Sequence, residues 1–138
     1  MKRTRADLVR GWQEKARRDL ATARMGLDAP EPLTDIACFH AQQAAEKYLK
    51  AFLLLHGVDF PRSHVLEALV LLAAEKDRSF AQLQADAASL TPYAVEARYP
   101  EFEEPQLEDA RAALSSAEKI AQLVLSRMAA GKRRLARA

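Results

Sequence analysis

The sequence predicts an all-α fold, an up-and-down antiparallel bundle of four long helices and one short helix. Three observations indicate this fold. Ala, Leu, Glu, Arg and Lys are abundant and glycine occurs only four times, and these side chains lose little rotamer freedom in a helix. Apolar residues recur three and four positions apart along most of the chain. Short segments containing proline or glycine separate these runs, as connections in a bundle do.

The composition indicates a single globular domain. Hydrophobic residues make up 49% and charged residues 29% of the 138 residues, so the chain is too apolar for a disordered protein and too evenly charged for a membrane span. We assign residues 1–130 to a helical-bundle domain and residues 131–138 to a basic C-terminal tail. The 21 basic and 19 acidic residues leave a net charge of +2, far from the field of a dedicated duplex-DNA binder.

The sequence lacks the motifs of secreted, phosphate-loop and zinc-binding proteins. Cys38 is the single cysteine, and no secretory signal begins the chain, so we expect a cytoplasmic protein without an internal disulfide. The glycines lie too far apart for a phosphate-binding loop, and Cys38 and the histidines lack zinc-ligand spacing. We therefore expect no metal and no cofactor. The absence of asparagine fits a heat-adapted protein, although a GC-rich genome would produce similar counts.

The first helix is expected from about Thr4 to Leu27. Two prolines within residues 28–33 end it, and Thr34 or Asp35 is the expected cap of the second helix. The spacing predicts a buried stripe of Leu8, Trp12, Ala16, Leu20, Ala23 and Leu27.

The second helix is expected over residues 35–56. Gly57 follows it and tolerates the positive φ of a helix end. A third helix is expected over residues 64–76, with Ser63 as its cap. Its buried stripe consists of Leu66, Leu69, Val70 and Ala73.

Three helices are expected in the C-terminal half. A fourth helix covers residues 80–90, and the Thr-Pro pair at 91–92 begins a short helix that Pro100 stops. The last helix begins at Pro105, with acidic residues near its positive dipole end, and Gly131 is its expected stop. The predicted stripes are Phe80, Leu83, Ala87 and Leu90 in the fourth helix and Leu107, Ala110, Leu114, Ala117, Ala121, Val124 and Met128 in the last.

The second helix is unusual because both of its faces carry apolar residues. One arc, expected to build the core, holds Ala37, Ala41, Ala44, Ala45, Tyr48, Phe52 and Leu55. On the opposite arc apolar side chains lie among Gln, Glu and Lys, which a purely solvated face would not favour. We predict that this second face packs against its own copy across a two-fold axis. The alternative is that the connection after Gly57 folds back over it. The dimer-interface candidates are Ile36, Phe39, Gln43, Glu46, Leu53 and Leu54.

Polar residues on the same helix are candidates for binding a nucleotide. His40, Gln43 and Lys47 are three and four positions apart and therefore share a face, where they would bind a phosphate or a base. The alternative is that His40 is a satisfied interface histidine and that Lys47 extends along the surface. The full set of candidates for nucleotide binding or partner contact is His40, Gln43, Lys47, Lys50, Arg98 and Tyr99.

Arg98 is open to two interpretations. As a local brace it would pair with Glu96 or Glu101. As part of a cleft it would offer its guanidinium to a phosphate, with Tyr99 available to stack on a base.

Three segments also carry a resemblance to a known family. They are ARRDLATARMGL, CFHAQQAAEKYLKAFLLLHGVDFPRSHVL and LTPYAVEARYPE. Together they resemble the HEPN domain family, named for higher eukaryotes and prokaryotes nucleotide-binding, over about residues 12 to 127. The resemblance implies a helical bundle that commonly dimerises and that is often encoded beside a minimal nucleotidyltransferase, as a toxin-antitoxin pair. Many HEPN toxins are metal-independent ribonucleases that use an arginine and a histidine four to six residues later.

The chain departs from that ribonuclease motif. Arg98 lies in the ARYPE segment, but no histidine follows it, and Pro100 interrupts the turn that would place both side chains on one face. We therefore predict a non-catalytic, RYP-type HEPN protein, homodimeric, with a nucleotidyltransferase partner and with nucleotide binding left open. The alternatives are an RNA-cleaving toxin that uses Arg98, Tyr99 and His40, and a nucleotide or polyanion sensor that uses Lys47, Lys50 and Arg98.

Overall fold

The computed structural model describes residues 2–137, with side chains described up to residue 130. Helices make up most of it, and no strand occurs in this range. The elements are α1 (Arg5–Asp28), α2 (Thr34–Leu55), α3 (Leu66–Lys76), a 3₁₀ helix (Arg78–Leu83), α4 (Gln84–Leu90), α5 (Tyr93–Glu96) and α6 (Leu107–Arg137). The predicted all-α bundle is confirmed.

Helix α2 lies at the centre of the bundle. Helices α1 and α6 pack along it, and α3, α4 and α5 also contact it. Its buried residues include five alanines, whose small side chains let neighbouring helices approach closely. The predicted core arc is buried from Ala37 to Phe52, while Leu55 is half-buried. None of the helices in the described range is long and apolar enough to cross a membrane.

The start of α1 follows the prediction. The Thr4 hydroxyl accepts a hydrogen bond from the Asp7 backbone N–H (3.1 Å), and the Thr4 N–H donates to the Asp7 carboxylate (3.0 Å). This reciprocal arrangement is a capping box. One member of the predicted stripe is wrong: Leu8 is exposed and Val9 is buried in its place, because the buried stripe follows 3.6 residues per turn rather than a fixed spacing of four.

Local capping predictions for the next two helices are wrong. Neither Thr34 nor Asp35 caps α2; the cap position is Leu33 and no side chain bonds there. Ser63 accepts a hydrogen bond from the Val65 N–H instead of capping α3 (3.0 Å). Helix α3 begins at Leu66, two residues later than predicted.

The cap of α3 comes from a distant residue. The Leu66 N–H donates to the hydroxyl of Thr91 (3.0 Å), and that hydroxyl donates in turn to the Glu67 carboxylate. Thr91 was expected to cap the short helix α5, whose cap position is occupied by Pro92 without a side-chain bond. Tertiary packing therefore uses Thr91 for a helix that lies 25 residues earlier in the chain.

The C-terminal half differs from the prediction in three boundaries. The expected fourth helix is divided into the 3₁₀ helix and α4, although all four of its stripe residues are buried. Helix α6 begins at Leu107, where the Asp109 carboxylate accepts from the Gln106 N–H (2.9 Å). The helix continues past Gly131 to Arg137, so the predicted stop is wrong; a glycine inside a helix costs only about 1 kcal/mol relative to alanine. A separate tail at residues 131–138 stays a prediction.

Gly57 should be sensitive to substitution, whereas Gly11 should not. Gly57 ends α2 with φ of +67°, and a Cβ there would lie 3.2 Å from the Arg5 guanidinium. Gly57→Ala is expected to lower the free energy of unfolding by about 1–2 kcal/mol, the cost of a left-handed conformation. Gly11 lies inside α1 with nothing within 4 Å of its Cβ position, so Gly11→Ala is expected to raise it by up to about 1 kcal/mol. Urea unfolding of both variants checks this pair; equal effects of the same sign would contradict it.

Candidate functional site

The second face of α2 is largely covered within the chain itself. Glu46 and Lys50 are 4% and 7% exposed, and Leu53 has no accessible surface. The connection between α2 and α3 folds back over this face, as the alternative interpretation proposed. Among the interface candidates, Glu46 and Leu53 are therefore not available to a second subunit. Leu54 is half-buried against the core, and Gln43 is half-buried and donates to the Gln42 side chain (2.6 Å).

Glu46 is the centre of the covered face. Its carboxylate accepts from the Lys50 ammonium (3.0 Å), and Nδ1 of His64 lies 2.7 Å from Oε1. Gln42 adds a bond of 3.3 Å to the same oxygen and a bond of 3.2 Å to the His64 carbonyl. The charged groups of this network are thus matched, as burial of charge requires.

Lys50 is fixed further by two aromatic rings. Its ammonium lies 5.6 Å from the ring centroids of both Trp12 and Phe60, within the range of cation–π attraction. Trp12 belongs to α1 and Phe60 to the connection, and their rings meet edge to face. The charge of Lys50 therefore acts inside the fold, and this candidate is not placed to bind a nucleotide.

Asp19 on α1 is a site residue that the sequence did not indicate. One oxygen of its carboxylate lies 2.8 Å from Nδ1 of His40, and the other accepts from the Lys47 ammonium. Asp19 is only 13% exposed in its side chain, so the contacts are partly shielded from solvent. The charge of Lys47 is neutralised by Asp19, and His40 is oriented by it. The only sequence signal was an acidic residue directly beside the buried stripe of α1.

Arg98 contacts two aromatic rings. Its guanidinium carbon is 5.4 Å from the ring centroid of Phe39 and 5.3 Å from that of Tyr99, and Nη2 donates to the Tyr99 hydroxyl (3.3 Å). Phe39 also meets the His40 ring edge to face, with centroids 5.2 Å apart. Of the six candidates, His40 and Arg98 therefore contact the Phe39 ring, and Tyr99 contacts Arg98.

Arg98 has no carboxylate partner among the described residues. The predicted brace to Glu96 or Glu101 is thus absent in this part of the chain. The Phe39 and Tyr99 rings contact the guanidinium instead, at distances within the range of cation–π attraction.

A cavity of about 310 Å³ lies beside Arg98 and is predominantly acidic. Arg98, Tyr99 and Phe102 line it together with four carboxylates, those of Asp35, Glu96, Glu103 and Glu104. Four negative groups around one guanidinium repel a phosphate, because charges of one sign in a cleft reinforce each other. The cavity therefore disfavours Arg98 as a nucleotide ligand.

We define the Phe39–Arg98 patch as Ile36, Phe39, Arg98, Tyr99 and Phe102. Ile36 and Phe39 are three residues apart on α2, while Tyr99 and Phe102 line the cavity with Arg98. Tyr99 and Phe102 are 46% and 39% exposed. Exposed aromatic side chains next to an arginine are enriched at protein interfaces, so the geometry suits contact with another protein.

Cys38 is buried and Tyr93 half-buried, and neither belongs to a catalytic arrangement. Burial raises the pKa of the Cys38 thiol to about 12, and the neighbouring Tyr93 hydroxyl offsets only part of this effect. Burial likewise raises the pKa of Tyr93 to about 12. Among the described residues, no group of three or more His, Cys, Asp or Glu side chains is arranged to hold a metal ion.

The Cys38 thiol is expected to be unreactive in the folded protein. Because a raised pKa keeps the thiol protonated, almost no thiolate exists at pH 8. Ellman's reagent should react with the native protein at pH 8 at least about 100-fold more slowly than with protein unfolded in guanidinium chloride, where the thiol regains its ordinary pKa. Equal rates in the two conditions would contradict the burial of this group.

Comparison with known proteins places these features in a family. The HEPN domain model matches residues 9–128. The crystal structure of TT1696 from Thermus thermophilus is 30% identical, with a TM-score of 0.75, and the alignment covers 86% of this chain and 96% of that one. The structure of ST0689, described as an archaeal HEPN homologue, is 28% identical with a TM-score of 0.68, covering 92% and 98%. No curated protein matches the sequence. The chain belongs to the HEPN domain family.

Proposed function

We propose that the chain is a non-catalytic HEPN protein that acts as a homodimer and binds a minimal nucleotidyltransferase, in a pair of the toxin-antitoxin kind. The observation that carries its non-catalytic part is the spacing of the three histidines from the arginines, while the homodimer and the partner rest on the family resemblance. His40 contacts Asp19 and His64 contacts Glu46. The His56 ring packs against Phe52, with centroids 4.5 Å apart. None of the three follows an arginine by four to six residues.

The electrostatics of the candidates support a protein partner over a nucleotide. The carboxylates of Asp19 and Glu46 neutralise Lys47 and Lys50, and an acidic cavity adjoins Arg98. A sensor of nucleotides or polyanions would need Lys47, Lys50 and Arg98 to converge on one ligand. Instead Lys47 pairs with a carboxylate of α1, Lys50 pairs with one of α2, and Arg98 contacts aromatic rings. The nucleotidyltransferase partner and the cytoplasmic location rest on the family resemblance and the sequence. Adaptation to heat stays a prediction as well. The similar structure from Thermus thermophilus gives the source of that protein and not of this chain.

The homodimer and its partner are tested by mass. Sedimentation velocity at micromolar concentration is expected to give a species of twice the 15.4 kDa chain mass. A nucleotidyltransferase encoded beside the chain, when co-expressed, is expected to co-elute with it in gel filtration. A strictly monomeric mass would contradict the dimer, and separate elution of the two proteins would contradict the partner.

One observation favours the alternative of an RNA-cleaving toxin with a non-standard site. Asp19 orients His40 through Nδ1 (2.8 Å), as a carboxylate does for a histidine that transfers protons. Arg98 contacts the same Phe39 ring that His40 contacts. In a ribonuclease such a pair would act without metal, by proton transfer and charge stabilisation.

Labelled RNA distinguishes the two proposals. We expect the purified protein with EDTA to leave a labelled single-stranded RNA intact, because no histidine follows Arg98 by four to six residues and the cavity beside Arg98 is acidic. Cleavage that is lost in both Arg98→Ala and His40→Ala would overturn the non-catalytic assignment. Cleavage that persists in both variants would indicate a contaminating nuclease, and repurification from a nuclease-deficient host until it disappears decides the point.

A further inference from the structure

We infer that Arg98 of one subunit pairs with Glu103 and Glu104 of a second copy, across the two-fold axis of the proposed homodimer. This inference rests on the proposed homodimer and adds the surface and the ion pairs that form it. The surface is the Phe39–Arg98 patch together with the acidic cavity beside it.

The first argument is the state of Arg98 in the single chain. The cavity contains four carboxylates, yet none of them lies within 4.0 Å of the Arg98 guanidinium. Phe39 and Tyr99 hold the guanidinium instead. An arginine that already has cation–π contacts and a hydrogen bond loses less further side-chain entropy when it binds, so it is prepared for a carboxylate that approaches from outside.

The second argument is that the surface is complementary to itself. It carries a cation at Arg98, anions at Glu103 and Glu104, and exposed aromatic area at Tyr99 and Phe102. In a two-fold interface residue i contacts residue j of the partner and j contacts i, so one surface must offer both signs of charge. A partner of a single charge would match only half of this surface. A second copy matches both halves and covers the aromatic side chains as well.

Within one chain the two charges do not pair. Glu103 and Glu104 line the same cavity as Arg98, but among the described residues no ion pair of 4.0 Å or less joins either of them to its guanidinium. Pairing between copies therefore makes contacts that the single chain does not make.

Charge reversal on each side of the proposed pair provides the test. Dimer dissociation is measured by sedimentation for wild type, for Arg98→Glu and for the double variant Glu103→Arg/Glu104→Arg. Each variant places like charges opposite each other in its own homodimer, so each is expected to dissociate at least about tenfold more readily than wild type. Arg111→Glu is the matched control, since Arg111 is exposed on α6 and lines a different cavity. Circular dichroism melting identifies any variant that is unfolded.

Mixing the two variants separates pairing between subunits from effects within one chain. A heterodimer of Arg98→Glu with Glu103→Arg/Glu104→Arg places opposite charges at both contacts. Native mass spectrometry of an equimolar mixture, with one variant ¹⁵N-labelled, is expected to show mainly heterodimer at concentrations where each variant alone is monomeric. A change in intramolecular bracing would not be repaired by mixing.

The outcomes distinguish this inference from the proposed function. A monomeric wild type would overturn both. A dimeric wild type that Arg98→Glu leaves unchanged would overturn this surface and leave the homodimer standing. Weakened variants that fail to form a heterodimer would overturn the pairing of Arg98 with Glu103 and Glu104. If one variant is unfolded, the milder pair Arg98→Gln and Glu103→Gln/Glu104→Gln takes its place, and a dissociation constant equal to that of wild type in both would again overturn the inference.

Discussion

Burial of α2 on both sides is the constraint on which the rest of the structure depends. One side is rich in alanine and packs against the neighbouring helices. The other side carries charge, and charge inside a protein is tolerated only with partners. Glu46 and Lys50 pair with each other, and Gln42 and His64 complete the network. The connection between α2 and α3 therefore covers part of this side, through the half-buried Val58 and Phe60 and through the bonds of His64 to Gln42 and Glu46.

This internal use of charge explains why the polar residues of α2 are poor ligand candidates. A lysine that is neutralised by a shielded carboxylate must lose that contact before it binds a phosphate, and the lost contact offsets the gain. Asp19 has this effect on Lys47, and Glu46 has it on Lys50. Arg98 differs because aromatic rings hold it, so its charge is available to a partner.

Membership of the HEPN family establishes the fold and leaves the chemistry to individual residues. The bundle is shared with TT1696 and the archaeal ST0689 along most of each chain. The family resemblance implies an arginine and a histidine four to six residues later for a ribonuclease, whereas here Arg98 is followed by the Tyr-Pro pair at 99–100. The same position instead presents a guanidinium, exposed aromatic rings and carboxylates, which is the composition of a surface for protein contact.

The sequence by itself determined the helical class, the family, and most of the buried stripes, because periodicity and intrinsic propensity are local properties. It also indicated that α2 is apolar on both faces. Only the tertiary structure decided what covers the second face. Partners such as Asp19 for His40 and Thr91 for the N-terminus of α3 come from residues about 20 or more positions away. No local pattern specifies such contacts, since they exist only once packing brings distant segments together.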